Sequence, residues 1–203
     1  MFFNSYTSSQ LQKRDLIDSF YLKIVKVSRN KAFYDDLLVP DTIDGRFDLL
    51  ILFSIFLTYY LSKCGSKGRE LSQNLFDKIF LDLDLSLREL GAGDAGVHIK
   101  IKQMINLYMG RQQVYCNCLN NKDFNKLKKH IIKNVYRNVF DFGNSPNLLV
   151  RYCEKVFLEF ESKNEKYFLL NEFKFPKYKW DFWSIIILIT LLKLCVINNK
   201  LLL

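Results

Sequence analysis

Apolar positions Leu16, Phe20, Ile24 and Val27 recur at spacings of four and three, with polar residues between them, which predicts an amphipathic helix over residues 11–33. After Pro40 the pattern changes. Residues 47–61 are almost uniformly apolar, densest at Leu49-Leu-Ile-Leu-Phe-Ser-Ile-Phe-Leu57. Fifteen residues bounded by Arg46 and Lys63 fall short of a membrane span, so this run predicts a buried central helix. A Cys64-Gly-Ser-Lys-Gly68 linker leads to a helical period over residues 71–90. Further helical periods run from Gly96 to about residue 120, over 123–140 and over 146–160. The expectation is an all-α bundle of six to seven helices. No repeat or low-complexity linker divides it, so residues 1–179 should form one domain around a shared core, followed by an apolar tail at 180–203.

With 203 residues and 49% hydrophobic content, the chain can bury a sizeable core. Its net charge of +9 is uneven: residues 1–97 carry 12 basic and 13 acidic side chains, residues 98–203 carry 18 and 8. The five cysteines are an odd number, and no signal or Arg-rich transit pattern opens the chain. Reduced thiols in a bacterial cytoplasm fit that usage.

Several chemistries can be weighed by spacing. Gly91-Ala-Gly-Asp-Ala-Gly96 matches the dinucleotide fingerprint, and residues 81–87 alternate as a strand would. The same stretch also satisfies a helix through Phe76, Phe80, Leu83, Leu87 and Leu90, and no acidic ribose partner stands about twenty residues beyond. Glycines as helix C-caps, with Asp94 capping the next helix, is the better reading. Asp77, Asp82, Asp84 and Glu89 lack the Glu-x-x-His partners of a di-metal bundle, since His98 and His130 both stand elsewhere. Asp84 and Arg88 are instead spaced for an i,i+4 ion pair. Cys116-Asn-Cys118 has neither redox nor zinc spacing. No Gly-x-Ser-x-Gly elbow is present, and two histidines offer few general bases, so we expect no catalytic residue, metal or cofactor.

Lys122, Lys126, Lys128, Lys129, Lys133 and Arg137 accompany a single Asp, while Phe124, Leu127, Ile131, Ile132 and Val135 supply the buried side of the same helix. A solvated face is the plain reading. The sharper one is contact with RNA, a ribosome or an anionic membrane surface, because clustered lysines neutralise phosphates. In the tail, Lys174, Lys177 and Lys179 precede Trp180 and Trp183, but Lys193 leaves only eleven uncharged residues from Phe182 to Leu192. That predicts a surface-bound rather than a spanning segment.

Two segments concentrate turn formers and charge: Val39-Pro-Asp-Thr-Ile-Asp-Gly-Arg-Phe-Asp48 and Leu87-Arg-Glu-Leu-Gly-Ala-Gly-Asp94. The first has the density of an N-cap and salt-bridge cluster opening a helix, and Arg46 is expected to meet a carboxylate of the 77–84 helix. In order and spacing, residues 39–57, residues 72–94 and Tyr108-Met-Gly-Arg111 with Tyr115 resemble the ubiquinol-cytochrome c chaperone family, over about residues 11–178. The resemblance implies an assembly chaperone of respiratory complex III that binds newly synthesised cytochrome b or another apolar membrane-protein client. It acts with no cofactor and no small-molecule substrate, with room for a partner subunit. Its mitochondrial relatives act at ribosomes translating cytochrome b; a bacterial counterpart would be cytoplasmic and peripheral at the inner membrane. It also implies a signature or client-binding set: Asp41, Asp44, Arg46, Asp48, Asp77, Asp84, Arg88, Asp94 and Arg111. The alternative is a basic helical RNA- or ribosome-binding protein.

Overall fold

The computed structural model describes residues 8–91, 93–137 and 143–178. Among them lie eight helices and no strand: α1 (Ser8–Ser28), α2 (Lys31–Asp35), α3 (Ile43–Lys63), α4 (Gly65–Glu89), α5 (Asp94–Asn120), α6 (Phe124–Asn134), α7 (Ser145–Glu161) and α8 (Glu165–Leu169). The all-α expectation holds, and the six helices of eleven or more residues match the expected number. α2 and α8, of five residues each, were not foreseen.

α3 organises the rest. Thr42 caps it by accepting from the Gly45 amide at 3.1 Å, and every residue from Phe47 to Leu61 is buried. A helix apolar on all sides must be covered on all sides; α1, α4, α5 and α8 do so. Ser54 and Thr58, the hydroxyls inside the run, donate back to the Ile51 and Ile55 carbonyls. At 21 residues α3 is longer than the apolar run suggested and is long and apolar enough to cross a membrane; 89% of that stretch is buried inside the protein. Burial, not length, makes it a core helix.

Several boundaries differ from expectation. The first helix stops at Ser28, because the Asn30 side chain accepts from Ala32 N and starts α2. Residues 64–68 are not a linker: Gly65 turns at φ 67° directly into α4. There Gly68 comes so close to α3 that a Cβ would stand 2.0 Å from the Leu61 carbonyl oxygen. Gly91, at φ 84°, does end α4, its amide reaching the Arg88 carbonyl at 2.9 Å. Asp94 does not cap α5. Gly93 holds that position with no side-chain bond, and Asp94 is the first helical residue. α6 ends at Asn134; residues 138–140 of the expected helix, and the 180–203 tail, lie outside the described residues.

Candidate functional site

Asp48 is the charge α3 carries into the core. Its side chain is 1% exposed, and its two oxygens accept from different helices: Arg111 Nη1 on α5 at 2.5 Å, and Arg137 Nη2 beyond α6 at 3.2 Å. Burial pushes the carboxyl above its ordinary range, while Arg111 and Arg137 pull it down. Arg137 also reaches Asp44 at 3.5 Å, and the Arg111 guanidinium lies 6.0 Å from the centre of the Phe47 ring. Three segments thus meet on one buried carboxylate. No spacing rule pairs positions 48, 111 and 137. The available signal was a lone Asp between Phe47 and Leu49, since a buried carboxylate needs partners.

The other signature residues sort differently. Arg46 does not reach α4; it grips Asp41 of its own segment through two bonds of 2.6 and 3.1 Å, in the open. A five-residue local reach within the capping turn outcompetes a long-range pair. Asp77 takes a bond from Gln73 at 2.8 Å instead of joining the Arg88 cluster. Asp84 and Arg88 form the expected i,i+4 pair at 2.5 Å, and Arg88 also donates to Asp94, tying the end of α4 to the start of α5 across the glycine loop. The fingerprint-like glycines therefore join two helices, with the 81–87 stretch helical throughout.

Between these charges opens a groove of about 720 Å³, lined by Thr42, Ile43, Asp44, Leu87, Gly96, Val97 and Lys100. Its walls come from the start of α3, the end of α4 and the start of α5. Ile43 is 64% exposed there, and Asp44 links the rim to the Arg137 and Asp48 network. An open apolar floor with a charged rim suits a helix-sized apolar segment.

The basic run divides. Lys126, Lys129 and Lys133 are exposed on α6 at i, i+3 and i+7, one face of the helix. Lys128 is half-buried toward another side, Lys122 precedes the helix at φ 53°, and Arg137 is committed to Asp44 and Asp48. Leu127, Ile131 and Val135 are buried as expected; Phe124 and Ile132 are only partly so. Cys64, Cys118 and Cys153 are buried, and burial raises the thiol of Cys116 to about 11, which makes it a poor nucleophile at neutral pH. Among the described residues no three His, Cys, Asp or Glu side chains gather as metal ligands.

These features define a helical protein built around a buried central helix, with an open apolar groove at one end whose rim carries Asp44 and Lys100. Residues 35–175 match the ubiquinol-cytochrome C chaperone family, and the chain belongs to it. A crystal structure of the Cbp3 homolog from Brucella abortus has the same fold, with a TM-score of 0.75 at 24% identity. The match covers 83% of this chain and 93% of that one. No curated protein matches. By family, this is a chaperone of complex III assembly.

Proposed function

We propose that this chain holds newly synthesised cytochrome b, covering its apolar helices until partner subunits arrive, and does so without catalysis, cofactor or small-molecule substrate. The observation that carries this reading is the groove of Ile43, Leu87 and Val97, because two of the three family-resembling blocks supply two of its three walls. An apolar helix seated there would bury its stripe against Ile43 and Leu87, while Asp44 and Lys100 would meet polar flanks. The signature residues act in this reading mainly by fixing the walls: Asp48 with Arg111 sets α3 against α5, and Arg88 with Asp84 and Asp94 sets the α4 to α5 turn. Membrane association at the cytoplasmic side of a bacterial inner membrane follows from the client. Residues 1–179 would be the holding domain and 180–203 a separate surface-binding tail.

A photo-crosslinker at Ile43 tests this during cytochrome b synthesis. Adducts with the new polypeptide, lost in Leu87→Asp at an unchanged melting temperature, are expected. Adducts independent of Leu87 would remove the groove from the mechanism.

A second reading has its own observation, the exposed face of Lys126, Lys129 and Lys133. It would dock the loaded chaperone on a ribosome or anionic lipid. Binding through phosphates falls steeply with salt, whereas apolar client capture changes little. Replacing the three lysines by Gln should flatten the salt dependence and leave the groove adducts intact.

A further inference from the structure

After α8 the chain leaves helical structure, and residues 172–178, Glu-Phe-Lys-Phe-Pro-Lys-Tyr, run back across the bundle. The segment is attached by rings. Phe173 meets Phe20 on α1 with centroids 5.3 Å apart, Phe175 lies 5.7 Å from Phe53 on α3 and 5.4 Å from Phe160 on α7, and Tyr178 lies 5.5 Å from Phe33 on α2. The rings beneath are deeply buried, whereas Phe175 and Tyr178 are only partly so. Four helices thus present an aromatic channel covered by this strap, which inserts Phe173 fully into the core and leaves Phe175 and Tyr178 at its partly exposed edge.

The polar attachments come from the channel side and from Tyr167 of α8, whose carbonyl accepts from the Glu172 and Phe173 amides. Lys23 has no carboxylate among its contacts; its ammonium donates to the Asn171 carbonyl at 2.6 Å, the Asn171 side chain at 2.7 Å and the Phe173 carbonyl at 2.8 Å, and stands 4.3 Å from the centre of the Phe173 ring. Tyr152 donates its hydroxyl to the Pro176 carbonyl at 2.8 Å. The Lys174 amide bonds to the Tyr167 hydroxyl at 3.2 Å. Main-chain carbonyls gripped by side chains, with rings seated in pockets, is how proteins hold a peptide ligand rather than how they extend a helix or sheet.

We infer that this channel is a peptide-binding site, occupied by the chain's own strap and open to a non-helical segment of the same chemistry. Its ligand is a stretch with aromatic side chains two and three residues apart, as in Phe173, Phe175 and Tyr178, and two free carbonyls for Lys23 and Tyr152. Membrane polypeptides caught before insertion expose such aromatic stretches, so the strap competes with the client and keeps the channel from binding aromatic segments indiscriminately. The site is distinct from the groove at Ile43 and rests on the holding reading only for its use in the cell.

The test uses the full chain carrying Phe175→Ala and Tyr178→Ala, and a fluorescent synthetic peptide with the sequence of residues 172–178. Anisotropy should show saturable capture at least ~10-fold tighter than by the parent, whose channel is filled. A folded variant that binds the peptide no better than the parent overturns the proposal. Should the variant fail to fold, hydrogen exchange on the unaltered protein decides. The Phe173 amide, bonded to the Tyr167 carbonyl at 3.1 Å, should exchange at least ~100-fold faster than α3 amides through a local opening. Exchange at the α3 rate would mean the strap leaves only when the whole fold does, and would overturn the inference. No client enters either measurement, so holding of cytochrome b through Ile43 stands or falls separately.

Discussion

α3 and the hairpin made by the end of α4 and the start of α5 are similar in length and opposite in circumstance. From Phe47 to Leu61 every residue of α3 is buried, whereas among the described residues of 81–103 only Val97 is, and Leu81, Leu85, Leu90 and Ile99 are each more than half exposed. Apolar side chains are spent on cohesion in the first region and left available in the second. A monomer gains nothing from that exposure, and scattered apolar surface carries an aggregation risk. In a holdase the same exposure is the working surface. Charge divides likewise: Asp48 is buried and shared by two arginines, while Asp84, Arg88 and Asp94 pair in the open. Stability should therefore reside in α3 and client capture in the hairpin, and mutations can pull the two apart.

The largest effect is expected at Asp48. Asp48→Ala leaves the Arg111 guanidinium buried without its carboxylate and should cost roughly 3–5 kcal/mol, enough to unfold a marginal domain. Asp84→Ala on the hairpin should shift the denaturation midpoint little. Equal losses at the two sites, measured by urea denaturation, would erase the distinction between the regions. Next comes Gly68→Ala. Its Cβ would meet the Leu61 carbonyl oxygen at 2.0 Å and the Cys64 Cβ at 2.7 Å, both on the rigid α3 corner. A cost of about 1–3 kcal/mol is expected from the forced shift. Gly96→Ala, on the hairpin with open space around its Cβ, should be tolerated.

How much of this is legible in the amino-acid sequence follows the same division. The buried run of α3, the amphipathic α1 and the helical character of 81–87 were legible, because each is a local pattern of period 3.6. The end of α4 at Gly91 was legible as helix punctuation, but the start of α5 was not, since it begins at Asp94 with Gly93 in the capping position. The Asp48, Arg111 and Arg137 cluster was not, because its members are separated by 63 and 26 residues and meet only once three helices pack. Arg46 pairs with a carboxylate of its own turn cluster, as the local charge density suggested, and not with one on the 77–84 helix, for the converse reason. A distant carboxylate was invoked where Asp41, five residues back, was already in reach. The strap could not be read either: Phe173, Phe175 and Tyr178 follow neither helical nor strand period, and only the surrounding rings give them a place.

A smaller effect should appear with pH, at the α6 face that packs on the core. His130 lies 6.5 Å from the Tyr115 ring, its Nε2 is buried with no hydrogen-bond partner, and burial, then Lys126 and Lys133, hold its pKa below the ordinary 6.5. As pH falls below 6.5 the unfolded chain takes up a proton that the folded chain refuses, so stability drops until the lowered folded value is passed. Melting curves between pH 7.5 and 5 should show that drop, and His130→Gln should lessen it. The same slope in both proteins would assign the acid sensitivity to other groups.

The smallest effect is expected at Arg46. Its two bonds to Asp41 hold that carboxyl below its usual range through the hydrogen bonds and the neighbouring positive charge. Yet both side chains stand more than half in water, 62% and 54% exposed, where solvent can replace what each gives the other. Thr42 already caps α3 without them. Arg46→Ala should therefore melt with the parent, in contrast to Asp48→Ala two residues along the same helix. The comparison is sharpest in the client assay. Arg46 follows Ile43 by three residues in the first turn of α3 but lines a separate pocket with Tyr34 and Asp41 rather than the groove itself. If Arg46→Ala melts normally and still gives Ile43 adducts, the exposed pair is a bystander. If adducts vanish while the melt is unchanged, Arg46 joins Ile43 in the client surface, and the cohesive part of α3 begins only at Phe47.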